Sequence, residues 1–126
     1  MSILNNISLK PYNTFGIDVD AEQFAGFQSK DELVDILEQA KTSAPTLVLG
    51  GGSNILLTKD VKGLVVKNKI KGINILEETN DDILVQAGAG EIWHPFVRKC
   101  IENNYSGIEN LSLIPGCVGA SPMQNI

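Results

Sequence analysis

The sequence contains few of the residues that build a metal centre, a disulfide framework or a nucleic-acid surface. Its 126 residues include two cysteines and one histidine, whereas a structural zinc site needs four clustered ligands. Cys100 and Cys117 show no Cys-x-x-Cys spacing, which predicts two free thiols in a reducing compartment. Acidic residues outnumber basic ones by 15 to 10, and the net charge of −5 argues against a general nucleic-acid binder.

Long apolar runs are also missing. No stretch approaches the roughly 18 apolar residues of a membrane-spanning helix, and residues 1–10 lack the apolar core of a signal peptide. The sequence therefore predicts no membrane association and a cytoplasmic location. A content of 43% hydrophobic and 20% charged residues is typical of a globular chain with a core.

The first half of the chain predicts one helix and two short strands. Residues 1–16 contain Pro11 and Gly16 and are predicted to be irregular. Ser29 followed three residues later by Glu32 forms a capping-box pattern, and the apolar spacing after it predicts a helix over 30–42. Residues 46–49 form a short apolar run, which predicts a buried strand, and residues 63–66 predict a second short strand.

The second half predicts a hairpin, a helix and ordered loops. Two β-rich runs within 73–87 flank the polar connection 77–82, which is typical of a hairpin with a solvated tip. An amphipathic pattern predicts a helix over 91–104, with Trp93 in the core and His94 on the polar side without an assigned role. The order of elements favours an α+β fold class.

A glycine-rich loop follows the first predicted strand. Residues 50–54 read Gly-Gly-Gly-Ser-Asn, and such a turn can point several main-chain N–H groups at phosphate oxygens. A dinucleotide fingerprint would need glycine where Ile55 stands, and a Walker loop would need a terminal Gly-Lys-Ser/Thr. The loop could therefore hold a pyrophosphate on a different scaffold. From the motif alone, a tight turn between strands is slightly favoured.

A second loop, residues 113–122, alternates small and apolar residues. Pro115 and Pro122 stiffen it, so that a flat ligand could lie against its backbone. The alternative is a packed crossover without a ligand. Cys117 lies within the loop, but no His/Asp partner set accompanies it, which favours a small buried thiol over a nucleophile.

Half of the positive charge lies in a short stretch. A solvated strand edge protected by lysine and a positive rim beside an anionic ligand are both compatible with the pattern, and spacing alone favours the edge. These residues are Lys59, Lys62, Lys67, Lys69 and Lys71.

Four segments resemble the UDP-N-acetylenolpyruvoylglucosamine reductase family, also called UDP-N-acetylmuramate dehydrogenase. They read Asn-Thr-Phe-Gly at 13–16, Leu-Gly-Gly-Gly-Ser-Asn-Ile-Leu at 49–56, Ala-Gly-Ala-Gly-Glu-Ile-Trp-His at 87–94, and the long run from Gly107 to Ile126. The resemblance implies an FAD-binding domain of the vanillyl-alcohol-oxidase/p-cresol-methylhydroxylase type. Residues 1–66 would be a complete first FAD-binding subdomain and 67–126 the start of a second.

The resemblance also implies which residues contact FAD. In the glycine loop, which would hold the pyrophosphate, they are Gly50, Gly51, Gly52, Ser53, Asn54 and Ile55. In the second loop they are Pro115, Gly116, Val118, Gly119, Ser121, Gln124 and Asn125.

The family reduces the double bond of UDP-N-acetylglucosamine enolpyruvate, with NADPH as the source of hydride, in bacterial peptidoglycan precursor synthesis. Its catalytic serine, glutamate and arginine follow the position of Ile126, so we expect an N-terminal fragment without catalytic residues that is inactive alone. Two alternatives remain: a non-catalytic nucleotide- or FAD-binding module, and another flavoprotein of the same fold.

Overall fold

The structure is a computed structural model that describes residues 2–40, 42–124 and 126. It divides into two compact units, Met1–Lys69 and Ile70–Ile126. The sequence-based boundary after residue 66 lies within a strand of the first unit, three residues before this division. The assignment of the two parts as FAD-binding subdomains stays a prediction.

The first unit is built on a mixed four-stranded sheet. Its strands are β1 (Leu4–Ser8), β2 (Asp20–Phe27), β3 (Thr46–Leu49) and β4 (Val61–Asn68), in the order β1-β2-β4-β3. β1 is antiparallel to β2, whereas β4 is parallel to both of its neighbours. The helix α1 (Lys30–Ala40) connects β2 to β3, and a 3₁₀ helix covers Lys10–Tyr12.

The core of the first unit forms around β4. Leu64, Val65 and Val66 are all buried, because a central strand with both faces covered hides consecutive side chains. On one face, the ring of Phe24 lies 4.6 Å from that of Tyr12. The buried cluster on this face consists of Leu9, Ala21, Phe24, Leu49, Leu57 and Val65.

The prediction that residues 1–16 are irregular is wrong for Leu4–Ser8, and β2 has no counterpart among the predicted elements. β1 contains Asn5 and Asn6, and Asn6 has a φ of 53°. Asparagine is depleted in strands, so the local pattern does not indicate one. The strand forms because β2 offers a paired edge, with Leu4 opposite Phe24.

Two further expectations need correction. β3 lies at the sheet edge, and only its last residue, Leu49, is buried, while Val48 is 61% exposed. The predicted buried strand is therefore a half-covered edge strand. β4, which carries Lys62 and Lys67, is central, so these lysines do not protect a sheet edge.

The Ser29 cap at the start of α1 is confirmed, and the Glu32 side chain reaches back to the residue before the cap, Gln28, rather than to Ser29. The Glu32 N–H donates to Ser29 Oγ at 3.1 Å, and the Gln28 N–H donates to Glu32 Oε2 at 2.6 Å. The side chains thus satisfy two main-chain N–H groups at the helix start. The predicted helix matches α1 to Ala40, and Lys41 lies outside the described residues.

The second unit contains the predicted hairpin and helix. β5 (Ile73–Glu78) pairs antiparallel with β6 (Ile83–Ala87), and α2 spans Trp93–Glu102. Because Glu77 and Glu78 belong to β5, the connection is shorter than predicted. α2 buries Trp93, Val97 and Cys100. Two 3₁₀ helices, Glu109–Leu111 and Val118–Gln124, make up much of the predicted loop region. Within the described ranges, no helix is long and apolar enough to cross a membrane.

Candidate functional site

The glycine-rich loop leaves the sheet at the carboxyl end of β3. Gly51 and Asn54 are exposed, Ser53 is half-buried, and Gly52 is buried. The carboxyl ends of parallel strands are where open α/β sheets bind ligands. β3 and β4 are parallel here, so the loop occupies such a position.

Gly52 meets a steric requirement that comes from the protein itself. It has a φ of +70°, and a Cβ at this position would lie 1.9 Å from the carbonyl oxygen of Tyr12. The Thr14 N–H donates to the Gly52 carbonyl at 2.9 Å. The tight-turn interpretation therefore accounts for this one glycine, since no other residue fits so close to the 12–14 backbone.

Three main-chain N–H groups of the loop have no hydrogen-bond acceptor in the part of the chain that the structure describes. No residue that the structure describes accepts a hydrogen bond from the N–H groups of Gly51, Ser53 or Asn54. Main-chain amides that are satisfied neither internally nor by side chains bind water or a ligand. Several such donors in one turn suit an anion. The loop therefore has the donors that its sequence predicts.

Lys67 lies beside this loop. In the β3–β4 register it stands opposite Leu49, and its Nζ donates a hydrogen bond to the carbonyl oxygen of Gly50. The solvated-edge interpretation is therefore wrong for Lys67, because its ammonium group is directed at the glycine loop. A positive charge in this place favours a bound phosphate.

The second candidate loop is docked within the second unit. The Val118 N–H donates to the Glu91 carbonyl at 2.8 Å, and the Gly119 N–H donates to the Ala89 carbonyl at 3.0 Å. The Trp93 N–H donates to the Gly116 carbonyl at 2.9 Å. Main-chain hydrogen bonds thus hold this loop against the segment before α2.

The described residues predicted to contact FAD in this loop lie in one 3₁₀ helix and in the residues just before it. Pro115 and a bend at Gly116 precede the 3₁₀ helix, and Asn125 lies outside the described residues. The helix itself contains Val118, Gly119, Ser121 and Gln124. The glycine-loop residues, from Gly50 to Ile55, belong to the first unit, and those from Pro115 onward belong to the second.

Both cysteines are buried and unpaired, as predicted. Burial raises the pKa of the Cys100 thiol above its ordinary value, and the charge of Lys99 partly opposes this. Cys117 lies in an isolated β-bridge with Ile92. Among the described residues, no group of three or more His, Cys, Asp and Glu side chains is arranged to hold a metal ion.

Sequence reasoning assigned no role to three residues whose side chains bind main-chain groups of the second unit. Trp93 Nε1 donates to the Leu111 carbonyl at 2.7 Å. His94 Nδ1 accepts a hydrogen bond from the Leu113 N–H at 3.0 Å, and Leu113 has a φ of 66°. Glu91 Oε1 accepts from the Gly72 N–H at 2.8 Å. The sequence signal that these three residues share is their position: side chains with hydrogen-bonding groups stand just before α2 or in its first turn.

Glu91 makes the second unit sensitive to acid. The Gly72 N–H is the main cause that lowers the pKa of its carboxyl below the ordinary 4.5, and Lys71 adds to the effect while burial opposes it. A lowered carboxyl pKa gives stability that is present above the ordinary value and lost as pH falls through the folded-state value. We expect the urea concentration at the unfolding midpoint of the second unit, followed by Trp93 fluorescence, to decrease as the pH is lowered below about 4.5.

The control for this prediction is a second carboxylate in the same unit. Glu102 pairs with Arg98 on the surface, and its side chain is 61% exposed. Glu91→Gln should reduce the acid dependence without removing it, because main-chain N–H groups also lower the pKa of the Glu109 carboxyl in this unit. Glu102→Gln should leave the acid dependence nearly unchanged, because exposed pairs contribute little. An unchanged acid profile in Glu91→Gln would contradict the assignment.

Comparisons with known proteins agree on one family. A family model described as FAD binding domain matches residues 21–126. Relatives named UDP-N-acetylenolpyruvoylglucosamine reductase include one from Pseudomonas syringae pv. syringae, 52% identical over 127 residues, and one from Flavobacterium johnsoniae, 51% identical over 126 residues. Each alignment covers 100% of this chain but only 38% or 37% of the relative.

A solved structure of UDP-N-acetylenolpyruvylglucosamine reductase from Thermus caldophilus is also similar. It is 28% identical with a TM-score of 0.69, and the match covers 96% of this chain and 41% of that one. The resemblance based on the four motifs, the α+β fold class and FAD as the cofactor are thereby confirmed. Because the matched residues make up most of the chain, this protein belongs to the FAD binding domain family.

Proposed function

We propose that this chain supplies the FAD-binding part of a bacterial flavoenzyme that reduces UDP-N-acetylglucosamine enolpyruvate to UDP-N-acetylmuramate with NADPH. The names of relatives that are about 50% identical support this activity. The chain spans about 38% of the length of those relatives, so the activity belongs to the proposal for the whole protein.

The observation that carries the proposal is that the N–H groups of Gly51, Ser53 and Asn54 have no acceptor among the described residues. The pyrophosphate of FAD carries negative charge on oxygens that accept hydrogen bonds, so main-chain donors suit it without formal charge. Lys67 adds a positive charge at the Gly50 end of the loop. The Ser53 hydroxyl and Asn54 amide are further donors. These residues fit the group.

Lys67 has a second effect through peptide geometry. A peptide unit is planar and trans, so its C=O and N–H point in opposite directions. The hydrogen bond from Lys67 to the Gly50 carbonyl therefore directs the Gly51 N–H to the other side of the peptide plane. We infer that Lys67 orients this donor from the carbonyl side of the peptide.

In the second unit, we propose that the residues predicted for the 115–124 loop line the cofactor. Small residues let a flat ring approach the backbone, and the hydrogen bonds from Val118 and Gly119 hold that backbone in place. When bound, FAD supplies the hydride chemistry, and the protein supplies binding and orientation. We assign no catalytic residue in this chain.

The finer parts of the proposal concern the cell. Reduction of this UDP-sugar would place the whole protein in peptidoglycan precursor synthesis, and thereby in cell-wall formation, cell shape and cell division. Its substrates, UDP-sugar and NADPH, are water-soluble, which favours the cytoplasm. The bacterial relatives support this setting.

Gly51→Val tests the pyrophosphate assignment. The 15N-labelled chain is titrated with FAD, and the amide signals of Gly51, Ser53 and Asn54 are followed. We expect these three signals to shift in the wild-type chain. Gly51→Val should raise the FAD dissociation constant by at least about tenfold, because a branched side chain on an exposed loop residue obstructs the donors.

Two controls make this experiment specific. Asp35→Val puts the same side chain on an exposed position of α1 and should leave FAD binding unchanged. Riboflavin lacks the pyrophosphate and should not shift the three signals. If millimolar FAD shifts none of them, or if riboflavin shifts them equally, the proposed site is wrong.

A further inference from the structure

Asn13 has an unusual environment for a polar residue. It is 8% exposed, and no other polar or charged side chain among the described residues is buried. Its Nδ2 donates to the carbonyls of Leu9 at 2.8 Å and Ile17 at 2.9 Å, and its Oδ1 accepts from the Ile17 N–H at 2.9 Å. One amide thus ties both ends of the 9–17 segment together.

The 9–17 segment lies directly against the glycine loop. The Tyr12 carbonyl and the Asn13 Cα are the atoms that leave no room for a side chain at Gly52. The next residue, Thr14, donates its N–H to the Gly52 carbonyl at 2.9 Å. The position of the 12–14 backbone therefore determines the direction of the Gly52 carbonyl.

The direction of the Gly52 carbonyl determines the direction of the Ser53 N–H, which is one of the proposed donors to the ligand. The Gly52 carbonyl and the Ser53 N–H belong to the same peptide unit, and in a trans peptide they point in opposite directions. A hydrogen bond that holds the carbonyl toward Thr14 consequently holds the Ser53 N–H away from Thr14. No described residue accepts a hydrogen bond from that N–H.

We propose that Asn13 is a positioning residue for cofactor binding, which holds Thr14 against Gly52 and thereby orients the Ser53 N–H toward the pyrophosphate. The inference rests on the proposed function for its ligand, but the orientation of the peptide is a property of the unliganded chain. Burial explains why an amide is needed: an apolar residue would leave the N–H and carbonyl of Ile17 without their partner, whereas the Leu9 carbonyl would keep the Tyr12 N–H.

The first test removes the hydrogen bond itself. Thr14→Pro eliminates the N–H donor, and Asn13 already has the extended conformation, with φ −136° and ψ 144°, that a residue before proline requires. Thr14→Ala is the matched control, because Thr14 is exposed and the variant keeps the N–H. We expect Thr14→Pro to raise the dissociation constant for FAD about tenfold or more, with Thr14→Ala unchanged.

The second test addresses Asn13 without any ligand. Asn13→Ala is compared with Ile36→Val and Ile36→Ala, which bracket its stability loss by creating cavities under α1. Hydrogen exchange of the Thr14 amide is measured at equal global stability. We expect it to be at least tenfold faster in Asn13→Ala than in the Ile36 variants.

A third measurement uses inorganic pyrophosphate as the probe. Its effect on the Ser53 amide signal should be lost in Asn13→Ala and kept in the Ile36 variants.

Equal rates of Thr14 amide exchange in Asn13→Ala and its stability-matched control would overturn the positioning role. If Asn13→Ala does not fold, unchanged FAD binding in Thr14→Pro overturns it. Absence of any pyrophosphate or FAD response in the wild type would instead refute the proposed function, while the exchange result still decides the role of Asn13.

Discussion

Gly52→Ala is expected to destabilise the first unit by about 2–4 kcal/mol and to abolish FAD binding. A non-glycine residue at φ +70° is strained by about 1 kcal/mol or more. The new Cβ would also lie 1.9 Å from the Tyr12 carbonyl oxygen, so backbone must shift, and such overpacking costs about 1–3 kcal/mol. Hydrogen exchange of the β4 amides measures the loss.

Gly16→Ala separates the two costs of this substitution. Gly16 has a nearly equal φ of +66°, but nothing lies within 4 Å of its would-be Cβ. It should therefore show only the conformational strain. If Gly52→Ala were no more damaging than Gly16→Ala, the close approach of the 12–14 backbone would not constrain the glycine loop.

Trp93→Ala is expected to cost the second unit about 3–5 kcal/mol, since a large buried side chain leaves a cavity. Trp93 is 7% exposed and its ring lies 5.8 Å from that of Phe96. Its Nε1 also carries the hydrogen bond to Leu111. The substitution should therefore release the start of the second loop as well as weaken the core. Urea unfolding followed by circular dichroism gives the cost.

Trp93→Phe tests the hydrogen bond separately from the packing. Phenylalanine keeps most of the ring but leaves the Leu111 carbonyl without its donor, which costs about 1–3 kcal/mol. The amide signals of residues 111–113 should change in this variant. If they do not, Trp93 supports the core without holding the loop.

The elements that the sequence predicts correctly all have a local cause. The capping box of Ser29 and Glu32 acts within one helical turn, and the apolar spacing of α2 repeats within its own ten residues. The hairpin is read from two neighbouring runs separated by a polar connection. Such patterns can be recognised within one short stretch of sequence.

The elements that the sequence misses depend on a partner far along the chain. β1 forms because Leu4 and Ile7 lie opposite Phe24 and Ala21. The role of Lys67 appears only after β3 and β4 pair, because the register then places Lys67 opposite Leu49. For the same reason, a group of lysines that resembles a solvated edge contains one that is directed at the glycine loop.

The sequence by itself determined the helices, the hairpin, the two candidate cofactor loops and, through its motifs, the family and FAD. These depend on residues that are neighbours in the chain, where capping, periodicity and turn chemistry operate. Only the tertiary structure decided which groups orient the loop donors: Thr14 on Gly52, Lys67 on Gly50 and Asn13 beneath them. These contacts join residues of different elements, and the β1-β2-β4-β3 strand order that brings those elements together has no signal in local spacing.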